Sequence, residues 1–254
     1  MRRVFSKFTN ILVAFVLVIV VWQLVIFIGD YPEALLPPPL AVGEAIVSLI
    51  RDGTFFVHLQ VSMFRFASGY LSAVIAAVVL GLILGRLPLV WKVVDPIVQV
   101  LRPVAPVAWA PFIVLWFGIG NMPAIVTIFI AAFFPVLLST VSAVKKIDRT
   151  YLKVAQNLEL NQPALMYKII LPAAFPYIAN GLHIAVGTGW IFLVAGEMIG
   201  AQSGLGYLII DSRNALDLDF VLAGIIFIGV LGLILDKLIG FFEKWVGKQW
   251  GAQG

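Results

Sequence analysis

Apolar positions in this chain come in long blocks broken by short polar stretches, a pattern set by crossing a bilayer rather than by covering a soluble core. Residues 11–28 form one such block, interrupted only by Gln23. A bilayer-crossing helix takes roughly 20 apolar residues. Blocks of that kind recur at about 64–85, 103–119, 124–144, 177–199 and 220–242, so six transmembrane helices are expected. The basic start (Arg2, Arg3, Lys7) resembles a signal peptide, but the apolar core of such a peptide is only about 7–15 residues and ends in a small-x-small cleavage site. No such site follows here, and the block is read as the first span.

The interruptions carry their own patterns. Residues 37–39 are three prolines, which block helix. Val42, Ala45, Ile46, Leu49 and Ile50 then recur at helical spacing before Arg51 and Gly53. This predicts a short amphipathic helix, lying on the membrane surface or packed on the bundle. Gly81 and Gly85 form a small-xxx-small pair that permits close helix contact. Residues 86–92 read as a loop, and Pro103, Pro106 and Pro111 punctuate the third span beside Trp109 and Trp116. Carbonyls freed by proline need protein or a water-filled cavity beside them. The third span is therefore expected to face protein or a pathway, a tolerated kink being the alternative. Residues 145–172 are too polar to span and too long for a simple turn.

In the fifth span His183, Trp190 and Glu197 stand seven apart and share a helix face, with Gly187 and Val194 on or beside it. Glu197 is the one carboxylate placed within a span's outer half, where an ionisable side chain marks a functional site by default. Such a face suits a cavity or a subunit seam. The alternative is that Glu197 and His183 lie near opposite ends and reach the interfaces.

Composition agrees with the pattern and narrows it. Of the 254 residues 62% are hydrophobic and 12% charged, with mean hydropathy +1.06. That excludes a soluble enzyme, a nucleic-acid binder and a disordered tail. Six spans leave only short loops, so a single permease-like domain over 1–254 is expected. There is no cysteine, hence no disulfide or thiolate chemistry. The pI of 9.4 reads as topology. With the N-terminus inside, Arg51, Arg65 and Arg213 are the only basic residues assigned outside, against eight acidic ones: Asp30, Glu33, Glu44, Asp52, Glu197, Asp211, Asp217 and Asp219. The remaining basic residues fall inside, as the positive-inside rule requires, placing both termini in the cytoplasm.

Catalytic signatures are missing. There is no phosphate-binding G-x-x-x-x-G-K-[ST] loop and no H-E-x-x-H, and Ser203-Gly204 has neither a nucleophile elbow nor a partner base. The expected protein is not an enzyme and uses no cofactor or metal. In the inner loop, Ala155, Leu158, Leu160 and Leu165 lie among Lys153, Gln156, Asn157, Glu159 and Asn161. Apolar residues in so polar a segment need a cover: a groove on a soluble partner, or the membrane surface.

The stretch leading to Ile169-Ile-Leu-Pro172 resembles the cytoplasmic E-A-A-x3-G-x9-I-x-L-P loop of permease subunits of ATP-binding-cassette importers. Ala155, Ile169, Leu171 and Pro172 match, whereas Lys153, Val154 and Glu159 replace the glutamate, first alanine and glycine. Leu36-Pro-Pro-Pro-Leu40, Leu101 to Pro111, Leu115-Trp-Phe-Gly118 and Val194-Ala-Gly-Glu-Met198 resemble the nitrate/sulfonate/taurine-type branch. The resemblance implies an all-α, type I importer fold in the bacterial inner membrane. It implies two permease chains, an extracytoplasmic binding protein that delivers a small anion, and cytoplasmic ATPases engaged by a coupling helix around Lys153, Val154, Ala155, Asn157, Leu158, Glu159, Leu160 and Asn161. Candidate pathway residues are Pro106, Trp109, Pro111, Trp116, His183, Gly187, Trp190 and Glu197. With no evident buried Arg or Lys in the spans and a carboxylate that repels anions, selectivity is expected to rest with the binding protein. A stand-alone secondary transporter or channel is the second reading; it predicts half-chain repeats and charged midplane residues, neither of which is evident.

Overall fold

The computed structural model describes residues 2–32, 35–147 and 161–249, and all regular structure among them is helical. The first helix, α1 (Arg2–Gly29), is followed by α2 (Pro39–Arg51) and α3 (Thr54–Arg86). Next come α4 (Pro88–Leu101), a 3-10 turn (Pro106–Trp109), α5 (Ala110–Phe117) and α6 (Asn121–Lys145). One turn at Gln162–Leu165 and a π-helical turn at Met166–Ile170 run into α7 (Leu171–Gly200), which is followed by α8 (Leu205–Ala215) and α9 (Leu218–Gln249).

Among the described residues four helical stretches are long and apolar enough to cross a membrane: Thr54–Arg86, Asn121–Lys145, Met166–Gly200 and Leu218–Lys248. Pro88–Leu101 and Pro106–Phe117 form a fifth only as a pair bent by 87°. Within α1, Val13–Gly29 is a shorter apolar stretch. Two local expectations change. Residues 86–92 are not a loop, because Pro88 starts α4 at a position where its missing N–H is not needed. Residues 103–119 are not one helix. Pro103 and Pro106 withdraw two donors within four residues, and a proline ring clashes with the preceding turn, so the chain turns sharply before α5 resumes.

The bundle centres on α6, gripped between α3 and α7. Its Ile128, Ala132, Val136 and Leu137 are buried against Ala73 and Ala77 of α3 and Ile178, Ala185 and Leu193 of α7. Glycines set the spacing. A Cβ on Gly81 of α3 would lie 2.6 Å from the Thr140 Cβ, and one on Gly85 2.7 Å from the Val144 Cβ. On α7 a Cβ at Gly196 would lie 2.9 Å from the Ala124 Cα. The small-xxx-small pair at Gly81 and Gly85 is thus a real contact surface. Dispersion and close backbone approach hold such seams where lipid offers no hydrophobic gradient.

For residues 39–51 the structure shows the second of the two packings. Val42, Ala45 and Leu49 of α2 are buried against Leu208, Ala223 and Phe227, on the chain's own helices. Asp52 then accepts the Thr54 N–H at 2.9 Å, and Gly53 turns with φ +83. This starts α3 ten residues before the apolar block that marked it, which has a consequence for Arg65.

Candidate functional site

Among the described residues two polar assemblies interrupt the apolar packing, one near the end of α7 and one near its middle. The first is a knot around Glu197. Because α3 begins at Thr54, Ser62 and Arg65 fall three apart on its inward face, beside Phe66 and Gly69, and both are buried. Arg65 donates from Nη1 to Glu197 Oε1 at 2.9 Å, and the two side chains are 1% and 0% exposed. The Ser62 hydroxyl lies 2.8 and 2.9 Å from the two carboxylate oxygens of Glu197 and accepts the Leu205 N–H at 2.8 Å. The Gly206 N–H donates to Glu197 Oε2 at 2.9 Å. Arg65 also donates from Nε to Asn121 Oδ1 (2.9 Å), from Nη2 to Ser203 Oγ (3.0 Å) and from Nη1 to the Ser203 carbonyl. His58 Nδ1 accepts the Gly204 N–H at 3.0 Å.

A buried charge is tolerable only when paired and hydrogen-bonded, and both conditions hold here. The knot joins α3, α7, the first residue of α6 and the turn that leads into α8. Gly204 (φ +104) lets that turn pass directly over the Glu197 carboxylate, where any side chain would collide. On α8 the Tyr207 hydroxyl donates to Asp211 at 3.3 Å, and the charge of that carboxylate pushes the phenol above its ordinary pKa.

The second assembly surrounds His183. Its Nε2 lies 2.9 Å from Asp236 Oδ1 and its Nδ1 3.2 Å from Glu243 Oε2, both on α9. Between the two assemblies Trp190 is buried, donates from Nε1 to the Ile228 carbonyl at 3.0 Å and meets Phe66 edge-on. Gly187 is exposed, with open space beside it.

Among the other marked residues, Pro106 is buried, Trp109 half-buried, and Pro111 and Trp116 exposed. Trp109, Phe112 and Trp116 form an aromatic row with ring centroids 6.5 and 5.8 Å apart. Ile169, Leu171 and Pro172 are half-buried where the π-helical turn meets α7. Asn161 is exposed and accepts the Ala164 N–H at 3.0 Å. Lys153, Val154, Ala155, Asn157, Leu158, Glu159 and Leu160 lie outside the described residues.

Arg65 corrects the expectation that the spans hold no buried cation. An arginine near the start of an apolar block reads as a water-facing end residue; the ten extra residues of α3 carry it inside. The available signal was Ser62 and Arg65 at helical spacing ahead of an apolar helix, since an ionisable group in a span calls for a partner of opposite charge.

Four helical stretches among the described residues are long and apolar enough to cross a membrane, and similarity to known proteins says of which class. The chain belongs to the family of binding-protein-dependent transport system inner membrane components, whose model matches residues 73–248. Among curated relatives, the putative aliphatic sulfonates transport permease protein SsuC of Bacillus subtilis (strain 168) is 34% identical over 227 residues, covering 89% of this chain and 82% of the relative. The taurine transport system permease protein TauC of Escherichia coli (strain K12) is 35% identical over 221 residues, covering 85% and 80%. The nitrate import permease protein NrtB of Leptolyngbya laminosa is 37% identical over 241 residues, covering 91% and 85%. Among solved structures, a chain of the MetNI methionine ABC transporter in inward-facing form matches with TM-score 0.54 at 18% identity. That match covers 73% of this chain and 96% of the other and supports the fold. The chain is thus a permease of the ATP-binding-cassette importer class.

Proposed function

We propose that this permease carries a small anion of the nitrate, bicarbonate, sulfonate or taurine class, delivered by an extracytoplasmic binding protein and driven by cytoplasmic ATPases. The observation that carries this is the near-full-length similarity to permeases named for sulfonates, taurine and nitrate. In this reading the chain is a single domain with six spans: α1, α3, the bent α4–α5 pair, α6, α7 and α9. Both termini and the 145–172 loop are cytoplasmic, the Glu197 knot lies at the outer end, and two copies enclose the pathway. Lys153 to Asn161, with Ile169, Leu171 and Pro172 behind them, form the ATPase-coupling segment. The chain itself hydrolyses nothing and uses neither cofactor nor metal.

The exposed members of the marked set, Pro111, Trp116 and Gly187, contribute the pathway wall with half-buried Trp109, and Pro106, Trp190 and Glu197 support it from behind. Glu197 does not repel anions in this arrangement, because Arg65 neutralises it at 2.9 Å. Selectivity then rests with the binding protein. In proteoliposomes with that protein and the ATPase, uptake of nitrate, taurine, an alkanesulfonate and bicarbonate is measured with and without ATP. ATP-dependent uptake of one of them is expected. Uptake without the ATPase would favour a stand-alone secondary transporter or channel instead. A Glu197→Gln variant with the binding protein unchanged is expected to slow uptake without altering which anion is carried.

A further inference from the structure

The assembly around His183 has a chemistry that the permease reading leaves unused. Asp236 and Glu243 stand seven apart on α9 and present carboxylates to opposite edges of one imidazole on α7. A neutral imidazole has one N–H and can donate to only one of them; donation to both requires the imidazolium. The Glu243 Oε1 atom is buried without a hydrogen-bond partner among the described residues, and the His183 contact at Oε2 is the hydrogen bond this carboxylate makes among them. Among the described residues Tyr70 of α3 also faces the cluster: its hydroxyl donates to the Leu182 carbonyl at 3.1 Å and lies in the field of Glu243.

The same stretch of α7 is tied to α9 on either side of this contact. Toward the start of α7, Phe175 and Ala179 are buried with Val246 of α9. Further along, Trp190 donates to the Ile228 carbonyl, and a Cβ on Gly232 would lie 2.9 Å from its indole nitrogen. Ile169, Leu171 and Pro172 lie where the 145–172 segment runs into α7, so α7 at this end of the segment, like α6 at the other, joins it directly to the bundle.

We infer that His183, bridging Asp236 and Glu243 as an imidazolium, is a positioning residue that clasps α9 to the cytoplasmic half of α7, so that both helices move as one body when the coupling segment is displaced. The inference rests on the permease reading of the preceding subsection. Neither helix then slides on the other during transport; the bundle changes state at other seams. Deprotonation of His183 removes one donor, frees one carboxylate and loosens the clasp.

Two measurements test this in proteoliposomes holding the permease, its ATPase and its binding protein. The first is the ratio of binding-protein-stimulated to basal ATP hydrolysis. H183Q, which cannot donate strongly to both carboxylates, is expected to lower that ratio roughly five-fold or more. H183R, whose guanidinium reaches two carboxylates at once, is expected to restore it. The wild-type ratio falls as pH rises through the imidazole range, while that of H183R stays flat. Equal behaviour of H183Q and wild type, or equal loss in H183Q and H183R, would overturn the clasp.

The second measurement does not depend on how well His183 variants fold. The natural chain lacks cysteine, so A179C/V246C can be joined by a short thiol cross-linker across the Phe175–Ala179–Val246 contact. Stimulated hydrolysis that survives cross-linking supports one rigid body; its abolition shows that α7 must slide on α9 and defeats the inference. If the wild-type assembly shows no binding-protein stimulation at all, the permease reading itself has failed, an outcome distinct from either of these.

Discussion

Arg65 and Glu197 show how one pair governs an entire end of the bundle. Each is fully removed from solvent, and removing one partner of such a pair leaves an uncompensated charge that costs about 3–5 kcal/mol. R65A and E197A are each expected to lower the thermal midpoint of the purified protein by an amount in keeping with that cost. The double variant R65A/E197A should lose less than the sum, because it buries no lone charge. Additive losses in a differential scanning experiment would show that the two residues act separately. Ser62 is equally committed: its one hydroxyl proton goes to Glu197 and its oxygen accepts the Leu205 N–H, leaving no donor for a ligand.

At the scale of elements, α6 is the rail on which α3 and α7 are mounted, and glycine decides how close they come. Gly196 abuts the Ala124 backbone, whereas Gly187 and Gly229 face open space. G196V must push α7 away from α6 and is expected to give little monodisperse protein on size-exclusion chromatography. G187A and G229A should elute as wild type, and a small helix-propensity gain of about 0.5–1 kcal/mol is expected at each. The prolines act in the opposite sense. Pro103 and Pro106 bend α4 from α5 by 87°, and this presents the Trp109–Phe112–Trp116 row on a short helix rather than on a straight span. The prolines made a kink in the apolar block at 103–119 legible in the sequence, but not its size: hydropathy sums side chains, and an 87° break depends on which backbone donors are missing and what the chain packs on.

For the whole molecule, the arrangement of charge gives the clearest test. Gln202, in the turn after α7, and Lys248, near the end of α9, are both exposed. In the proposed topology they lie on opposite sides of the membrane. Single cysteines, Q202C and K248C in this naturally cysteine-free chain, should react with a membrane-impermeant maleimide from opposite faces of oriented vesicles. Labelling of both from one face would invert or break the six-span topology. The sequence by itself determined the helical, membrane-crossing class and the family, and it marked Gly81 and Gly85 as a pair that permits close contact. That the contact is with Thr140 and Val144, 59 positions away in each case, came from the fold. The sequence likewise marked Glu197 and His183 as ionisable groups in apolar surroundings but could not say what they face. Their partners lie 132 positions away at Arg65 for Glu197 and 53 and 60 away at Asp236 and Glu243 for His183. Only the packing of α3 and α9 against α7 brings those charges within hydrogen-bond reach. Tertiary structure therefore decided the meaning of each buried charge, since its energy depends on which partner the fold delivers and not on its neighbours in sequence.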